Sequence, residues 1–400
     1  MRIRSASFLQ LFLLTALLTA LLTAISFSQS LPDLVHHVSG AMPIDRSNVG
    51  QSQELSAERP EAGSAIVQPM ATGAETPGNT WQLLATIPGV IIHDIAFPTA
   101  KIGYAVGEQG QVWKTTNGGV SWVQQVLPSA GSDYFYGVDA VTSQKVIISG
   151  FYDSSSAYGV FRWTENGGRT WSSDMSPGPE WLQQVRFVKK LDGLMMPLAA
   201  AGSGATTATY TTDGGAGISD WDNAVANPSG AWFDPQFSLL ANLHARASGI
   251  NFCTSLTGGS GWSCGPSVDS VFDGPVFFSN DKFGVVGGGE ISPNVEGWVH
   301  VTSNGGKTWS GRTLDGPWPI RSILFLNSKT GWAGGGNVYT NVGGMYFSTD
   351  GGNTWSVDVT TNSEMGSCAD HAIPGGHHQV WCAGFNSSDG FLSVIYSTVY

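Results

Sequence analysis

Short apolar segments alternate with turn residues along most of the chain. One unit contains the segments 92–97, 103–107, 112–115 and 122–124, which are separated by Gly, Pro or polar residues. Apolar and small residues alternate within each segment, and this alternation is typical of short β-strands. Beyond the first thirty residues no sustained 3.6-residue period occurs, so we expect few helices. The pattern therefore predicts an all-β chain made of four-stranded units.

One short motif, Ser/Thr-x-Asp/Asn-Gly-Gly-x-x-Trp, recurs along the chain at near-constant spacing. Intact copies occupy residues 115–122, 164–171, 302–309 and 348–355, and two degenerate copies occupy 211–218 and 255–262. A second pattern, in which Phe is followed by Lys after four residues and Gly after six, begins at Phe97, Phe278 and Phe325. We call this motif, Ser/Thr-x-Asp/Asn-Gly-Gly-x-x-Trp, the box. Successive boxes begin 44 to 49 residues apart, about the length that a four-stranded propeller blade needs.

A seventh copy of the box is divided between the two ends of the chain. Residues 395–398 open a box, and residues 77–81 have the sequence of a closing half. Strands from both termini would then share one blade, which removes the exposed edges of an open array. The sequence predicts a seven-bladed β-propeller over residues 79–400, closed by its N- and C-terminal strands.

The box residues have a physical role of their own. Two adjacent glycines allow the positive φ angles of a tight hairpin, and the Asp or Asn side chain accepts backbone N–H bonds inside the turn. The Trp packs a large apolar face between blades. An acidic catalytic or calcium site is the alternative, but repetition favours a structural role. The structural residues assigned in this way are Asn117, Asn166, Asp213, Asn304 and Asp350.

The N-terminal residues indicate the compartment. Arg2 and Arg4 precede an apolar run over residues 8–25, and small residues allow cleavage after Ser26 or Ser28. We assign residues 1–28 to a secretory signal peptide; an uncleaved membrane anchor is the alternative, since the run could span a bilayer. Residues 29–78 lack periodic apolar positions and are expected to be a disordered spacer. We expect a secreted, extracellular protein without a stable membrane span after cleavage, or a thylakoid-lumen protein in a photosynthetic source.

Charge and composition narrow the class of partner. The formal net charge is −12, and loss of the two leader arginines takes it to −14. Such a surface repels phosphate backbones, so we expect no nucleic-acid partner. With 53 glycines, 15 tryptophans and only 12% charged residues, the composition fits a secreted all-β domain. We expect a monomer without a cofactor or a metal ion.

The four cysteines form two symmetrical pairs. Cys253 and Cys264 flank the turn of the 255–262 box, and Cys368 and Cys382 flank Gly375. Residues equidistant from a hairpin turn face each other across the strand pair, within disulfide reach. We therefore predict the disulfides Cys253–Cys264 and Cys368–Cys382. The alternative for the second pair is a zinc site with His371, His377 and His378, although Cys-x-x-Cys spacing is missing.

The boxes resemble the Asp-box, or bacterial-neuraminidase, repeat of sialidases, xyloglucan-cleaving glycosidases and sortilin-type receptors. The longer frame, IAFPTAKIGYAVGEQGQVWKTTNGGVSW at residues 95–122, is most similar to the photosystem II assembly/stability factor family of seven-bladed propellers. This resemblance covers about residues 79–400. It implies a non-catalytic protein that binds a partner protein in the thylakoid lumen. The chain differs from that family in its cysteine pairs and in its simple secretory leader.

A glycoside hydrolase is the alternative function. The Arg-Ile-Pro motif of sialidases is absent, and xyloglucan-cleaving enzymes resemble two tandem propellers with one acidic residue from each. Four aspartates near the starts of the innermost strands could still pair as acid and base: Asp94, Asp139, Asp273 and Asp370. Their other interpretation is turn capping and solvation of the channel mouth. We therefore assign no catalytic residue.

Binding residues are predicted on one face of the propeller. The loops that enter each innermost strand, and those that join the second and third strands, gather around the central channel, opposite the boxes. Aromatic residues with a few arginines are typical of a recognition surface, although any of the aromatics could instead pack between blades. The candidates are Tyr134, Tyr136, Trp181, Arg186, Trp232, Trp318 and Arg321. The sequence thus predicts a non-enzymatic propeller that binds a protein or glycan partner.

Overall fold

A computed structural model describes most of the chain from residue 80 onwards. The described residues are 80–400 without 129, 132, 153–157, 173–180, 189–192, 199–204, 212–218, 227–235, 241, 243, 249–251, 258–261, 266–273, 291–295, 317, 338–339 and 387–391. The expected signal peptide, the expected spacer and the box residue Asp213 lie outside the described residues.

The described residues form 27 β-strands, and none of them is helical. Accordingly, the described part of the chain contains no helix that could cross a membrane. The strands are β1 (Gln82–Ile87), β2 (Ile92–Ala96), β3 (Gly103–Gly107), β4 (Val112–Thr115), β5 (Val123–Gln125), β6 (Asp133–Ala140), β7 (Val146–Tyr152), β8 (Tyr158–Thr164), β9 (Trp181–Phe187), β10 (Gly193–Leu198), β11 (Ala205–Thr211), β12 (Ser219–Ala226), β13 (Gln236–Leu239), β14 (Ala245–Ser248), β15 (Cys253–Ser255), β16 (Ser263–Cys264), β17 (Val276–Phe278), β18 (Gly284–Glu290), β19 (Glu296–Thr302), β20 (Ser310–Leu314), β21 (Ile320–Phe325), β22 (Gly331–Asn337), β23 (Val342–Ser348), β24 (Ser356–Thr361), β25 (Glu364–Ile373), β26 (His377–Asn386) and β27 (Leu392–Val399).

These strands form small antiparallel sheets, as in a β-propeller. Five sheets are consecutive four-stranded meanders: β2–β5, β9–β12, β13–β16, β17–β20 and β21–β24. A sixth, which we call the terminal sheet, has the strand order β1-β27-β26-β25, and the remaining sheet contains only β6, β7 and β8. The sequence predicts seven four-stranded blades, and the described residues contain six. The outer strand of the β6–β8 sheet would follow Trp171, where residues 173–180 lie outside the described part.

The two ends of the described chain meet in the terminal sheet. β1 pairs antiparallel with β27, with Leu83 opposite Tyr396. Just before β1, the Trp81 indole N–H donates to Asp358 Oδ2 at 2.7 Å, and the Trp332 indole donates to the same oxygen at 2.9 Å. The N-terminal strand is therefore tied both to the C-terminal strand and to the preceding sheet.

The repeated Phe and Gly positions pack against each other. A Cβ atom built on Gly331 would overlap the ring of Phe325, and Gly103 and Gly284 stand in the same relation to Phe97 and Phe278. Each ring therefore covers the backbone of the neighbouring strand at a position where only glycine leaves room. Phe97 also stacks on Trp381 of the terminal sheet, with ring centroids 3.8 Å apart. The frame repeats because every such sheet needs this close contact.

The intact boxes are turns with one shared hydrogen-bond pattern. In the first, Thr115 Oγ1 accepts from the Gly119 N–H at 3.0 Å, and Asn117 Oδ1 accepts from the Ser121 N–H at 2.9 Å. Gly118 and Gly119 have φ angles of 76° and 94°, which side chains disfavour. Asn166, Asn304 and Asp350 accept in the same way from Thr170, Thr308 and Thr354. These side chains hold turns in the described structure.

Both predicted disulfides are present. Cys253 lies opposite Cys264 across β15 and β16, and Cys368 lies opposite Cys382 across β25 and β26. Their Cα atoms are 4.0 and 4.1 Å apart. Because Cys368 and Cys382 are bonded to each other, the alternative zinc site loses the thiolates that it needs. The described residues contain no group of three or more residues arranged to hold a metal ion.

Candidate functional site

One strand of every sheet contributes to one cavity, which we call the central cavity. It has a volume of about 300 Å3, and its lining includes residues from β2, β6, β9, β13, β17, β21 and β25. Each of these innermost strands also contacts the innermost strands of the sheets on either side of it. Among the residues predicted to bind a ligand, Tyr136, Arg186 and Arg321 line this cavity together.

A β-bulge interrupts five of the innermost strands where they enter the sheet. Pairing with the second strand skips His93, Tyr136, Gln183, Arg321 and Gly366. A bulge adds one unpaired residue and re-aims the side chains around it. Of these residues, His93, Tyr136, Arg321 and Gly366 line the central cavity. The bulges are therefore the backbone device that presents side chains to the cavity.

Asp94 links innermost strands of several sheets. Its Oδ1 accepts from the Ser367 hydroxyl at 2.6 Å and from the Ile95 N–H at 3.0 Å. Its Oδ2 accepts from the Val138 N–H at 3.0 Å and lies 3.4 Å from Arg186 Nη1. Asp94 is buried, so its carboxylate loses its contacts with water, and these donors take their place. The carboxylate thus connects β2 with β6, β9 and β25.

Asp139 and Arg186 lie side by side on neighbouring strands. Asp139 Oδ2 accepts a hydrogen bond from the backbone N–H of Phe187. Burial raises the pKa of Asp139 to about 6, although the charge of Arg186 opposes this shift. Burial also disfavours the charged guanidinium, but the carboxylates of Asp94 and Asp139 outweigh it and raise the pKa of Arg186 above its usual value. Arg186 is therefore a permanent cation in the cavity wall.

The guanidinium of Arg186 uses only one of its nitrogens within the described structure. Nη1 donates to the Val185 carbonyl at 2.9 Å and contacts the Val138 carbonyl and Asp94 Oδ2, both at 3.4 Å. No described residue accepts a hydrogen bond from Nε or Nη2. The side chain is 37% exposed and lines the central cavity, so a ligand in the cavity can contact it.

A second arginine and a buried glutamate form another pair. Arg321 Nε lies 3.4 Å from Glu364 Oε1, and the glutamate side chain is fully buried. Neither carboxylate oxygen of Glu364 accepts a hydrogen bond from a described residue. Burial raises the pKa of Glu364 to about 7, against the opposing effect of Arg321. Near neutral pH this carboxyl therefore exists in both protonation states.

Aromatic rings form one wall of the cavity. Tyr136 stacks on His93, with centroids 4.1 Å apart, and on Phe151 at 5.5 Å. Tyr134 stacks on Phe151 at 5.2 Å, so it supports this wall although it is not part of the cavity lining. His93 is buried, and its Nε2 lies 3.7 Å from Glu108 Oε1. Of these rings, Tyr136 and His93 line the cavity.

One tryptophan candidate does not join this group. Trp318 is 3% exposed, belongs to an apolar cluster and packs against Tyr346 with centroids 5.3 Å apart. This burial corrects the prediction that Trp318 contacts a ligand, because a side chain inside the core offers a ligand almost no surface. Trp181 is the first residue of β9, and Trp232 lies outside the described residues.

The aspartates considered for catalysis have different surroundings. Both Asp94 oxygens and one Asp139 oxygen accept hydrogen bonds from neighbouring innermost strands. Asp370 Oδ2 pairs with His378 Nδ1 at 2.8 Å and does not line the central cavity. Asp273 lies outside the described residues. The described contacts of Asp94 and Asp139 favour a role in joining strands.

Sequence patterns missed two residues of the site. His93 stacks on Tyr136, and Glu364 lies beside Arg321. Neither His93 nor Glu364 is among the binding residues that the sequence predicts. A signal for His93 exists, because Ile92-His93-Asp94-Ile95 and Ile320-Arg321-Ser322-Ile323 occupy the same place in the repeated frame. Aligning the repeats on their Phe and Gly positions would have placed His93 opposite Arg321. Glu364 precedes its bulge by two residues and has no comparable signal.

Comparisons with known proteins reveal the fold. No family model and no curated protein matches the chain. A solved structure of YCF48 bound to D1 peptide is 16% identical, with a TM-score of 0.57, over 81% of this chain and 96% of that one. YCF48 from Cyanidioschyzon merolae is 17% identical, with a TM-score of 0.54, over 80% and 98% of the two chains.

A glycosidase of the same architecture is also similar. The GH74 xyloglucanase from Xanthomonas campestris is 14% identical, with a TM-score of 0.53, over 76% of this chain. The match covers only 53% of the xyloglucanase chain. The structural similarity, with TM-scores of 0.53 to 0.57, indicates a shared propeller fold. Because the sequence identities are so low, function has to be argued from the site.

Proposed function

We propose that this chain is a secreted, non-enzymatic binding propeller whose ligand site is the central cavity. One observation carries the proposal: Tyr136, Arg186 and Arg321 come from three different sheets and line a single cavity. An aromatic ring beside two guanidinium groups is the chemistry of a recognition site. The partner is a protein or a glycan, and the negative net charge of −12 disfavours nucleic acid.

The contacts around the cavity support binding over glycoside hydrolysis. A glycosidase needs two carboxyl groups that reach the scissile bond. Asp94 is buried, and its two oxygens already accept hydrogen bonds from three innermost strands, including its own. Protonation or nucleophilic attack by Asp94 would require breaking these contacts. The cavity carboxylates therefore serve better as anchors for the cavity wall.

The proposed architecture is a ring of seven blades closed by the chain ends and built on Asp-box repeats. Antiparallel pairing of β1 with β27 supports closure. Contacts between successive innermost strands, including β2 with β25, support a continuous ring. The shared geometry of the four box turns supports the repeat. We further propose that residues 1–28 are the signal peptide, that 29–78 are the spacer, and that the mature protein is a monomer.

Secretion is supported by the two disulfides, since oxidising compartments favour them. The similarity to photosystem II assembly/stability factors, together with the YCF48 structure that contains a D1 peptide, motivates a peptide segment as the first class of partner to test. Acidic and neutral glycans form the second class.

A ligand screen of the purified protein tests the proposal. Peptide and glycan arrays would be probed with the natural protein and with Tyr136→Ala, Arg186→Gln and Arg321→Gln. Arg312→Gln is the matched control, because Arg312 is exposed and contacts Ser310 and Gly311. We expect the three cavity variants to lose capture and the control to retain it. Capture that survives all three, or hydrolysis of a glycoside in a parallel substrate panel, would contradict the proposal.

A further inference from the structure

The strongest unassigned feature of the molecule is the pair of donors on Arg186. The guanidinium is held in place by Nη1 alone, through the Val185 and Val138 carbonyls and Asp94. Nε and Nη2 donate to no described residue. These two N–H groups form one edge of the planar guanidinium, and that edge matches the two oxygens of a carboxylate.

We propose that the central cavity binds a ligand through a single carboxylate group, which accepts two parallel hydrogen bonds from Nε and Nη2 of Arg186. This inference rests on the proposed function, because it names the chemistry of the ligand at the same site.

The neighbouring carboxylates do not compete for these donors. Asp94 is held by Ser367 and Val138, and Asp139 accepts from the Phe187 backbone. Because the surrounding strands occupy these oxygens, a ligand can reach Arg186 without displacing an internal partner. The anchored Nη1 also fixes the plane of the guanidinium, which reduces the entropy lost on binding.

Charge favours a monoanion over a phosphate dianion. Arg186 and Arg321 face three carboxyl groups, those of Asp94, Asp139 and Glu364. A dianion bound to Arg186 would meet strong repulsion from these carboxyl groups when they are ionised. A monoanion meets less of this repulsion than a dianion does, and partial protonation of Glu364 near neutral pH lowers it further.

Size and shape indicate an end group. A cavity of about 300 Å3 lies at the lower limit for small-molecule sites. It accommodates a side chain, a chain terminus or one sugar ring. The ring of Tyr136 lines the same cavity and can contact the carbon part of such a group.

Two sources could supply this carboxylate: a peptide, through an acidic side chain or its C-terminus, and an acidic sugar. Titrations monitored by NMR would use N-acetylglycine and its uncharged amide for the first source. Glucuronate and glucose would serve for the second, with inorganic phosphate as a competing anion. The titrations extend well above about 1 mM, so that weak binding of probes this small is still detected.

The matched variants are Arg186→Lys, which keeps the charge but loses the paired donors, and Arg312→Lys on the exposed surface. We expect at least one carboxylate probe to bind the natural protein and Arg312→Lys. Its uncharged counterpart and Arg186→Lys should bind at least tenfold more weakly, with thermal stability retained. Equal binding of the charged and uncharged probes, stronger binding of phosphate, or an unchanged Arg186→Lys variant would overturn the inference. If Arg186→Lys does not fold, the charged and uncharged probe pairs decide on the natural protein.

Failure of this inference differs from failure of the proposed function. Suppose that a ligand without a carboxylate binds the natural protein and binds Tyr136→Ala and Arg321→Gln more weakly. This result would refute the inference that the ligand is a carboxylate, and the cavity would remain the binding site. Carboxylate binding that ignores all three cavity variants would refute both.

Discussion

Asp94 Oδ1 accepts a 2.6 Å hydrogen bond from the Ser367 hydroxyl, although 273 residues separate the two. This bond joins β25 of the terminal sheet to β2 of the next sheet. Similar bonds continue from Asp94 to the Val138 N–H and from Asp139 to the Phe187 N–H. The polar residues of the cavity therefore also hold neighbouring innermost strands together.

Replacing Asp94 should destabilise the protein strongly. Asp94→Ala leaves the Val138 N–H and the Ser367 hydroxyl without their acceptor in a buried site, and Arg186 loses a counter-charge. Removing one partner of a buried polar network typically costs about 3 kcal/mol. Urea unfolding would measure the change in the free energy of unfolding. Asp370→Ala is the control, because its half-exposed pair with His378 should contribute less than about 1 kcal/mol. Equal losses in the two variants would contradict this account.

Glu364 should make stability fall as the pH rises. Burial raises its pKa from the usual 4.5 to about 7 in the folded protein, so between these values the folded state binds more protons than the unfolded state. The free energy of unfolding then decreases with increasing pH across this window. Glu364→Gln cannot ionise, so it should match the natural protein near pH 4.5 and exceed it by up to about 3 kcal/mol above pH 7. Unfolding curves between pH 4.5 and 8 provide the check, and a difference that does not vary with pH would refute the buried, unsolvated carboxylate.

The glycine that faces Phe325 should not tolerate a methyl group. In Gly331→Ala the new Cβ would overlap the phenyl ring, and overpacking of this kind typically costs about 1–3 kcal/mol. Gly131→Ala is the control, since no atom lies within 4 Å of the position that its Cβ would occupy. Thermal unfolding of both variants tests the contact. Full stability of Gly331→Ala would mean that the ring does not cover this backbone.

The local repeats made much of the fold predictable. The box turns depend on residues within eight positions of each other, and both disulfides follow from symmetry about a hairpin turn. The Phe325–Gly331 contact likewise joins neighbouring strands. In each case the interacting residues are close in the sequence, so their spacing carries the structural information.

The candidate site was harder to predict because it depends on contacts between sheets. The bulges at His93 and Arg321 change which side chains face the cavity; the repeated frame shows that these residues share one position, but it does not show that this position is a bulge. Trp318 follows a turn in the sequence, yet the fold buries it against Tyr346. The unusual pKa of Glu364 arises from burial, which only the assembled sheets create.

Closure by the terminal strands predicts a global effect of a small truncation. Removing residues 395–400 deletes most of β27, so both β1 and β26 lose a partner. We expect a single unfolding transition at a markedly lower temperature. Tyr400→Ala, which removes only the ring contacts with Trp332 and Phe347, should have a much smaller effect. A truncated protein that melts like the natural one would show that closure contributes nothing.

The most direct test of the central claim is to observe the arginine side chains while a ligand from the array screen binds. NMR spectra of the Nε–H groups would be assigned by substitution and recorded during the titration. We predict that the Arg186 and Arg321 signals shift and saturate together, whereas the exposed Arg312 signal stays in place. Binding that moves Arg312, or that leaves both cavity arginines unchanged, would contradict a ligand site in the central cavity.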